Sequence, residues 1–189
     1  MIFGKDEERS VLLVKTSSDA FPEEVFLCDN IIQSMKPSFN NWYESKMYAT
    51  SELAEETEWI ESFLRQISTI AIVGISRNRN KDSYYVGRYM QRAGYNIIPV
   101  NPTADEILGE TAYPDLNSLN QGVDVVDIFL RPEQISDAVD QALELQPRCI
   151  WLQLGTGTHP ELEDQLSKTG VKMIQNRCIK VDHQFLIRG

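Results

Sequence analysis

The fold is decided by the stretch Ile70-Ala71-Ile72-Val73-Gly74-Ile75-Ser76-Arg77-Asn78-Arg79-Asn80-Lys81-Asp82-Ser83. Its β-branched start predicts a buried strand, and the amphipathic residues 84–90 that follow predict a helix. A Rossmann-type nucleotide site begins in this way. Gly74 permits a tight turn at the end of the strand, and the helix directs its free N–H groups and its positive dipole end at a phosphate.

The polar loop between this strand and this helix departs from the usual dinucleotide fingerprint. A Gly-x-Gly-x-x-Gly motif that starts at Gly74 would need glycine at positions 76 and 79, where this chain has Ser76 and Arg79. Side chains at these positions prevent the closest approach of the backbone to a pyrophosphate. Arg77, Arg79 and Lys81 instead bring three cations to the expected phosphate position. The loop therefore predicts a phosphate-rich nucleotide other than NAD.

Composition and charge restrict the partners of the chain. A hydrophobic content of 42% over 189 residues is enough for a globular core of ordinary size. The formal net charge is −10, and neither nucleic acid nor an anionic membrane is expected as a partner, because both need a basic surface. Most charged loops are simply solvated surface. Here the cations of the loop oppose the sign of the whole chain, which favours a bound anion.

Cysteine usage and the amino terminus predict a cytoplasmic protein. Cys28, Cys149 and Cys178 are odd in number and widely spaced, as is typical of a reduced compartment. Residues 1–9 lack an apolar signal core, and no apolar run of the sequence is long enough to cross a bilayer. No His/Cys cluster with metal-ligand spacing occurs, so no metal is expected.

Helices and strands alternate from Ser51 onward. Apolar periodicity predicts a helix from Ser51 and further helices that start near Ser83, Pro132 and Pro160. Strands are predicted at 70–73, 96–100, 123–129, 149–154 and 171–174, with a poorly periodic connection over 103–122. This alternation predicts an α/β, Rossmann-like, doubly wound parallel sheet of about five strands, formed by residues 51–189.

Residues 1–50 are predicted to be a separate amino-terminal extension. They contain short apolar runs and an aromatic, turn-rich segment at 37–43. Their apolar content is too high for a plain disordered tail. We therefore expect the extension to dock on the domain, on a second copy of the chain or on a partner protein.

The carboxyl ends of the five strands predict one ligand crevice, because ligands of open parallel sheets bind there. The candidate site residues are Gly74, Ile75, Ser76, Arg77, Arg79, Lys81, Ser83, Asn101, Pro102, Leu130, Arg131, Gln153, Leu154, Gly155 and Cys178. Asn101 stands where an NAD enzyme usually has an acid for the ribose hydroxyls. Asn101-Pro102 suits an ordinary turn. Its position beside the basic loop also suits contact with the adenosine half of a ligand, and both interpretations stay open.

Taken together, these motifs resemble the CoA-binding domain proteins, whose fold is like the amino-terminal domain of the succinyl-CoA synthetase alpha subunit. The resemblance covers about residues 65–185. It rests on Gly74-Ile75-Ser76, Lys81-Asp82-Ser83-Tyr84, Ile98-Pro99-Val100-Asn101-Pro102, Ile107-Leu108-Gly109-Glu110, Trp151-Leu152-Gln153-Leu154-Gly155 and Arg177-Cys178-Ile179-Lys180. The chain departs from the family pattern at Asn176 and Asp182, where the family often has Asp and Glu.

The resemblance implies a coenzyme A nucleotide over Ser76, Arg77 and the helix start at Ser83. It implies an adenine near Asn101-Pro102. It also implies a pantetheine arm that passes Leu130-Arg131 and Gln153-Gly155. CoA carries a ribose 3′-phosphate in addition to its pyrophosphate, so it needs more positive charge than NAD does.

The sequence contains no arrangement typical of catalysis. His159 is expected at a helix start or on the surface, and His183 is expected to fix the carboxyl terminus by hydrogen bonding. Cys178 is either an ordinary thiol or a thiol activated by Arg177. We expect a noncatalytic binding or regulatory module for CoA or an acyl-CoA. An NAD(P)-binding oxidoreductase or reductase subunit, and an interaction subunit that has lost its ligand, remain alternatives.

Overall fold

A five-stranded parallel sheet is the centre of the computed structural model, which describes residues 51–188. The predicted extension, residues 1–50, lies outside the described residues, and so does Cys28. The strands are β1 Thr69–Val73, β2 Asn96–Val100, β3 Glu106–Ile107, β4 Glu110–Thr111, β5 Val125–Ile128, β6 Cys149–Gln153 and β7 Lys172–Arg177. The main sheet has the order β2-β1-β5-β6-β7 with parallel pairing throughout. The predicted α/β, Rossmann-like fold is confirmed.

Helices cover both faces of this sheet. They are α1 Ser51–Leu64, α2 Asp82–Arg92, α3 Ile135–Glu144, α4 Pro160–Leu166 and α5 Ile179–Leu186. One apolar cluster joins α1, α2 and α5 to the face that carries Trp151, which is fully buried. A second cluster joins α3 and α4 to the opposite face, through residues such as Val139 and Leu162. Alternate residues of the strands thus point to opposite helical layers, as a doubly wound sheet requires.

Three segments differ from the sequence prediction. Helix α5, Ile179–Leu186, was not predicted. β7 continues to Arg177, beyond the predicted end at residue 174, because it stays paired with β6 after a register shift, with Gln153 opposite Arg177. Trp151 Nε1 also donates to Arg177 O at 2.9 Å. The connection over 103–122, predicted to be irregular, contains the antiparallel hairpin β3–β4. Its two turn residues, Leu108 and Gly109, have φ values of 62° and 80°, as a tight hairpin turn requires.

Among residues 51–188, no helix is both long and apolar enough to cross a membrane.

Candidate functional site

Gly74 directly follows β1 and lies close to the end of β2 and to the chain that follows β5. The φ of Gly74 is 80°, and its N–H donates to Val100 O at 3.0 Å. A Cβ at this position would lie 2.6 Å from Phe129 O and 3.0 Å from Leu130 Cδ2. Glycine is therefore required both by its conformation and by the close approach of the chain after β5. The carboxyl ends of β1, β2 and β5 therefore lie close together at one edge of the sheet.

The loop after Gly74 is held by its own hydrogen bonds. Ser76 N–H donates to Ser83 Oγ at 3.0 Å, and Asn78 N–H donates to Ser76 Oγ at 3.1 Å. Lys81 N–H donates to Asn78 O at 3.0 Å. Ile75 is fully buried and anchors the loop in the core. These contacts fix the shape of the loop.

The three cations predicted to bind phosphate all lie on the surface of this loop. Arg77, Arg79 and Lys81 are exposed, whereas Ser83 is buried at the start of α2. Lys81 is the N-cap residue of α2, and its side chain makes no capping hydrogen bond. Long cationic side chains next to a helix amino terminus are a suitable environment for a phosphate group.

Asn101, after β2, ties two loops together. Its Nδ2 donates to Ile75 O at 2.7 Å. Its Oδ1 accepts from both the N–H and the hydroxyl of Thr103 at 2.8 Å. The side chain therefore makes the turn expected of Asn and fixes the loop after β2 beside the loop after β1. Pro102 is exposed next to it.

The loops after β5 and β6 follow strand ends at the same edge of the sheet. Leu130 is half-buried and Arg131 is exposed. Leu154 is 42% exposed, one of the two large apolar side chains with high exposure in the described part of the chain. Gly155 is exposed with a φ of 90°. An apolar side chain beside bare backbone is a suitable surface for an uncharged arm of a ligand.

Gln153 is bound to a buried carboxyl group in the neighbouring strand. Its Nε2 donates to both carboxyl oxygens of Asp127, at 2.9 and 3.1 Å. Asp127 is fully buried, and burial raises the pKa of this carboxyl to about 8. Gln153 is itself 2% exposed. Its side-chain amide therefore contacts the interior of the sheet, and its main-chain carbonyl oxygen accepts a hydrogen bond from the hydroxyl of Thr156 in the following loop.

Arg177, next to Cys178, is paired with two carboxylates. It donates to Asp182 at 3.0 and 2.6 Å and to Glu56 at 3.1 Å. Asp182 is only 1% exposed. The charge of Arg177 is thus balanced within the fold, and the guanidinium links α1 to α5. Cys178 is the half-buried N-cap residue of α5, on the edge-strand side of the sheet.

Both histidines make structural contacts. His183 Nδ1 lies 2.9 Å from Tyr89 Oη, the kind of hydrogen bond predicted for this residue, and burial lowers the pKa of the imidazole. His159 Nε2 lies 3.1 Å from Thr156 O and Nδ1 lies 3.2 Å from Glu161 Oε1. The imidazole of His159 therefore supports the loop after β6. Within residues 51–188, no group of three or more His, Cys, Asp and Glu side chains could hold a metal ion.

One feature beside the crevice was missed by the sequence prediction. A groove of about 360 Å³ lies between α2 and the β3–β4 hairpin, and Arg88 and Arg92 line it together with Arg77 and Arg79. The sequence carried a signal, because Tyr84, Arg88 and Arg92 follow one another at a spacing of four and so share one side of a helix.

The comparisons with known proteins identify the class. The chain belongs to the CoA binding domain family, whose model matches residues 68–184, and the expected resemblance is thereby confirmed. It is 38% identical over 124 residues to the protein YneT of Bacillus subtilis (strain 168), which covers 66% of this chain and 91% of YneT.

Solved structures share the fold. The structure of cell-free ID.343 from Thermus thermophilus is 34% identical with a TM-score of 0.66, covering 69% of this chain and 98% of that one. A dinucleotide-forming acetyl-coenzyme A synthetase 1 from Ca. Korarchaeum cryptofilum, solved with phosphate and ADP, is 26% identical with a TM-score of 0.52. That match covers 58% of this chain and 26% of that one.

Proposed function

We propose that the protein binds coenzyme A or an acyl-CoA and acts as a noncatalytic binding or regulatory module in the cytoplasm. The observation that carries this proposal is the loop between β1 and α2. In a chain with a net charge of −10, this loop presents three exposed cations, Arg77, Arg79 and Lys81, on a backbone held by its own hydrogen bonds. The family to which the chain belongs supports the choice of CoA among phosphate-rich nucleotides.

The start of α2 is suited to the pyrophosphate. The N–H of Tyr85 donates to Lys81 O, so the N–H groups of residues 82–84 precede the hydrogen bonds within the helix. These N–H groups and the helix dipole favour an anion. Arg77 and Arg79 would add charge-assisted hydrogen bonds from the loop.

The two ends of the nucleotide would leave this point in opposite directions along the sheet edge. The adenine would lie near Asn101-Pro102, beside the edge strand β2. The pantetheine arm would pass Leu130 and Arg131 and reach Leu154 and Gly155, where apolar surface and bare backbone are exposed. This direction follows the sheet order from β2 through β1 and β5 to β6.

A noncatalytic role is supported by the contacts of the titratable groups near the crevice. The imidazoles of His159 and His183 hold loops and helices together. Asp127 is fully buried, and its carboxyl accepts hydrogen bonds from Gln153. Arg177 is engaged with Asp182 and Glu56.

Calorimetry on the full-length protein tests the proposal. We expect CoA to bind more tightly than NADH or NADPH, and the double variant Arg77→Ala/Arg79→Ala to bind CoA at least tenfold more weakly, since one charge-assisted hydrogen bond contributes about 1.5–3 kcal/mol. The melting temperature of the unliganded double variant should stay within about 2 °C of that of the wild type, because exposed cations contribute little to folding. Lys168→Ala removes an exposed cation in the connection between α4 and β7 and is the matched control.

Three results would contradict the proposal. Tighter binding of NADPH than of CoA would favour the oxidoreductase alternative. The absence of binding by any of these nucleotides would favour an interaction subunit that has lost its ligand. A large loss of unliganded stability in the double variant would mean that Arg77 and Arg79 are structural.

A further inference from the structure

A groove of about 510 Å³ lies at the amino-terminal edge of the sheet, opposite to the proposed CoA site. Trp59 and Phe63 of α1 line it, and we call it the α1 groove. Arg148, directly before β6, and Lys172, the first residue of β7, line it as well. All five strands are parallel, so these strand starts are at the edge away from the loop after β1. The volume is typical of binding pockets, which measure about 300–1,000 Å³.

The α1 groove combines stacked aromatic rings with positive charge. The ring centroids of Trp59 and Phe63 are 4.5 Å apart. Arg148 Cζ lies 5.1 Å from the Phe63 ring centroid, and Lys172 Nζ lies 5.7 Å from that of Trp59. Arg148 and Lys172 are exposed, and the other residues that line the groove are uncharged. The lining therefore suits an occupant that is both apolar and acidic.

The contacts of Arg148 leave its positive charge to be matched by an occupant. Its Nη2 donates to Gln66 Oε1 at 3.0 Å, and this amide is neutral. Asp124 is an acidic residue near Arg148. Its Oδ2 accepts from the N–H groups of Ser68 and Thr69, at 2.9 Å each, and is thus engaged with the start of β1.

The amino-terminal extension contains a stretch of matching chemistry. Residues 19–29 read Asp-Ala-Phe-Pro-Glu-Glu-Val-Phe-Leu-Cys-Asp, with four acidic residues and no lysine or arginine. Phe21 and Phe26 are its aromatic residues. We call this stretch the acidic segment. Its charge has the opposite sign to that of the groove, and its rings can pack on the aromatic pair of α1.

The length of chain before α1 allows the acidic segment to reach the groove. Residues 30–50 separate it from Ser51, where α1 begins. Trp59 is about 12 Å from Ser51 along the helix axis, whereas a chain of 21 residues without regular structure spans of the order of 25 Å. Such a tether gives an effective concentration of the order of millimolar. This concentration favours the segment of the same chain over a separate protein.

A second copy of the chain is a poorer occupant than the acidic segment. A twofold dimer through the α1 groove would bring the same surface of both copies together. Arg148 and Lys172 would then face the same cations of the other copy. Like charges placed opposite each other in an interface are unfavourable.

We propose that the acidic segment, residues 19–29, binds in the α1 groove of the same chain. Its phenylalanine rings lie on the pair Trp59 and Phe63. Its carboxylates lie near Arg148 and Lys172. The inference goes beyond the proposed function, because the groove and the proposed CoA site are at opposite edges of the sheet and the docked segment leaves the CoA site accessible.

Protection of a cysteine placed in the groove tests the proposal in the full-length protein. Ser167 lines the groove, and Ser167→Cys is made together with Cys28→Ser and Cys178→Ser, so that the introduced thiol is the accessible one. Its alkylation by a maleimide is followed by intact mass. We expect Phe21→Ser/Phe26→Ser to raise the alkylation rate at least about fivefold, because the groove is then uncovered.

Ser118→Cys in the same background is the matched control. Ser118 and Ser167 are both exposed, and the hydroxyl of each donates to an oxygen of the residue three positions earlier. Ser118 is not among the residues that line the groove. The rate of alkylation at this position should change by less than about twofold when Phe21→Ser/Phe26→Ser is added.

Reversal of charge tests the acidic side chains separately. Lys172→Glu should raise the alkylation rate of Ser167→Cys at least about threefold, because it places like charges together. Adding Glu23→Lys/Glu24→Lys should restore the slow rate. Glu7→Lys/Glu8→Lys makes the same change outside the acidic segment and should not restore it. Lys172 is exposed, so this comparison does not depend on altering the core.

Three results would overturn the proposal. The first is an equal alkylation rate of Ser167→Cys with and without Phe21→Ser/Phe26→Ser. The second is an equal rise in rate at Ser118→Cys, which would show a general loss of structure rather than release of the segment. The third is protection that increases with protein concentration, which would mean that the groove is covered by a second copy.

Discussion

The buried carboxyl of Asp127 should make the protein less stable as pH rises. Asp127 lies in β5 between Ile72 of β1 and Trp151 of β6, and its side chain is fully buried. Burial raises its pKa from an unfolded value of 3.8 to about 8. Between these two values the folded state keeps the proton and the unfolded state releases it, so stability falls as pH increases.

The size of this effect follows from the two pKa values. Each pH unit between them changes the free energy of unfolding by about 1.4 kcal/mol. From pH 5 to pH 7 the contribution of Asp127 should therefore fall by about 2.7 kcal/mol. This is a large fraction of the stability of a typical domain, which is about 5–15 kcal/mol.

Asp127→Asn isolates the contribution of this group. The asparagine has nearly the shape of the protonated acid, and its Oδ1 can still accept from Gln153 Nε2. Urea denaturation at pH 5, 6 and 7 should show the variant gaining stability relative to the wild type by about 1.4 kcal/mol per pH unit. Asp105→Asn, at an exposed site, should show no such trend. Parallel pH curves for the wild type and Asp127→Asn would refute the reasoning, because they would mean that Asp127 ionises in the folded protein at no cost.

Three further perturbations test the fold around the site. Gly74→Ala should destabilise the protein by more than about 2 kcal/mol in urea denaturation, because a residue with a Cβ is strained at positive φ and would meet Phe129 O. Arg177→Ala should cost about 3–5 kcal/mol in the same assay, since it leaves Asp182 buried and unbalanced. Peptide mapping after brief alkylation should find Cys178 modified before Cys149, because Cys149 is fully buried and burial raises its thiol pKa. The reverse order would contradict this arrangement.

The fold could be predicted because its signals are local. The β-branched run before Gly74, and the apolar spacing within α2 and α3, depend on neighbouring residues alone. The turn at Gly74 could also be predicted, since a glycine directly after a buried strand is typical of a tight turn. The end of β7 could not be predicted from local sequence. It depends on the pairing of β7 with β6 and on contacts between them, such as the hydrogen bond from Trp151 to Arg177, which are 26 positions apart.

The candidate crevice was predicted by topology, but the direction of its side chains was not. Gln153 lies at the carboxyl end of β6, where ligands of parallel sheets bind. Its side-chain amide nevertheless donates to Asp127 of the adjacent strand. Arg88 and Arg92 lie outside the strand ends altogether, and they line a groove with Arg77 and Arg79 because the β3–β4 hairpin packs on α2. Contacts between segments that are distant in the sequence determine where these side chains point. Local sequence patterns do not predict such contacts.

The hydrogen bonds of the loop explain why phosphate recognition would depend on side chains here. In a glycine-rich loop the backbone N–H groups point at the phosphates. In this loop, the N–H groups of Ser76, Asn78 and Asn80 already donate to side-chain oxygens of the loop and of Ser83. Positive charge must then come from arginine and lysine together with the start of α2. Exposed cations are screened by salt, so the affinity for CoA should fall with ionic strength, and Arg77→Ala/Arg79→Ala should show a smaller decrease.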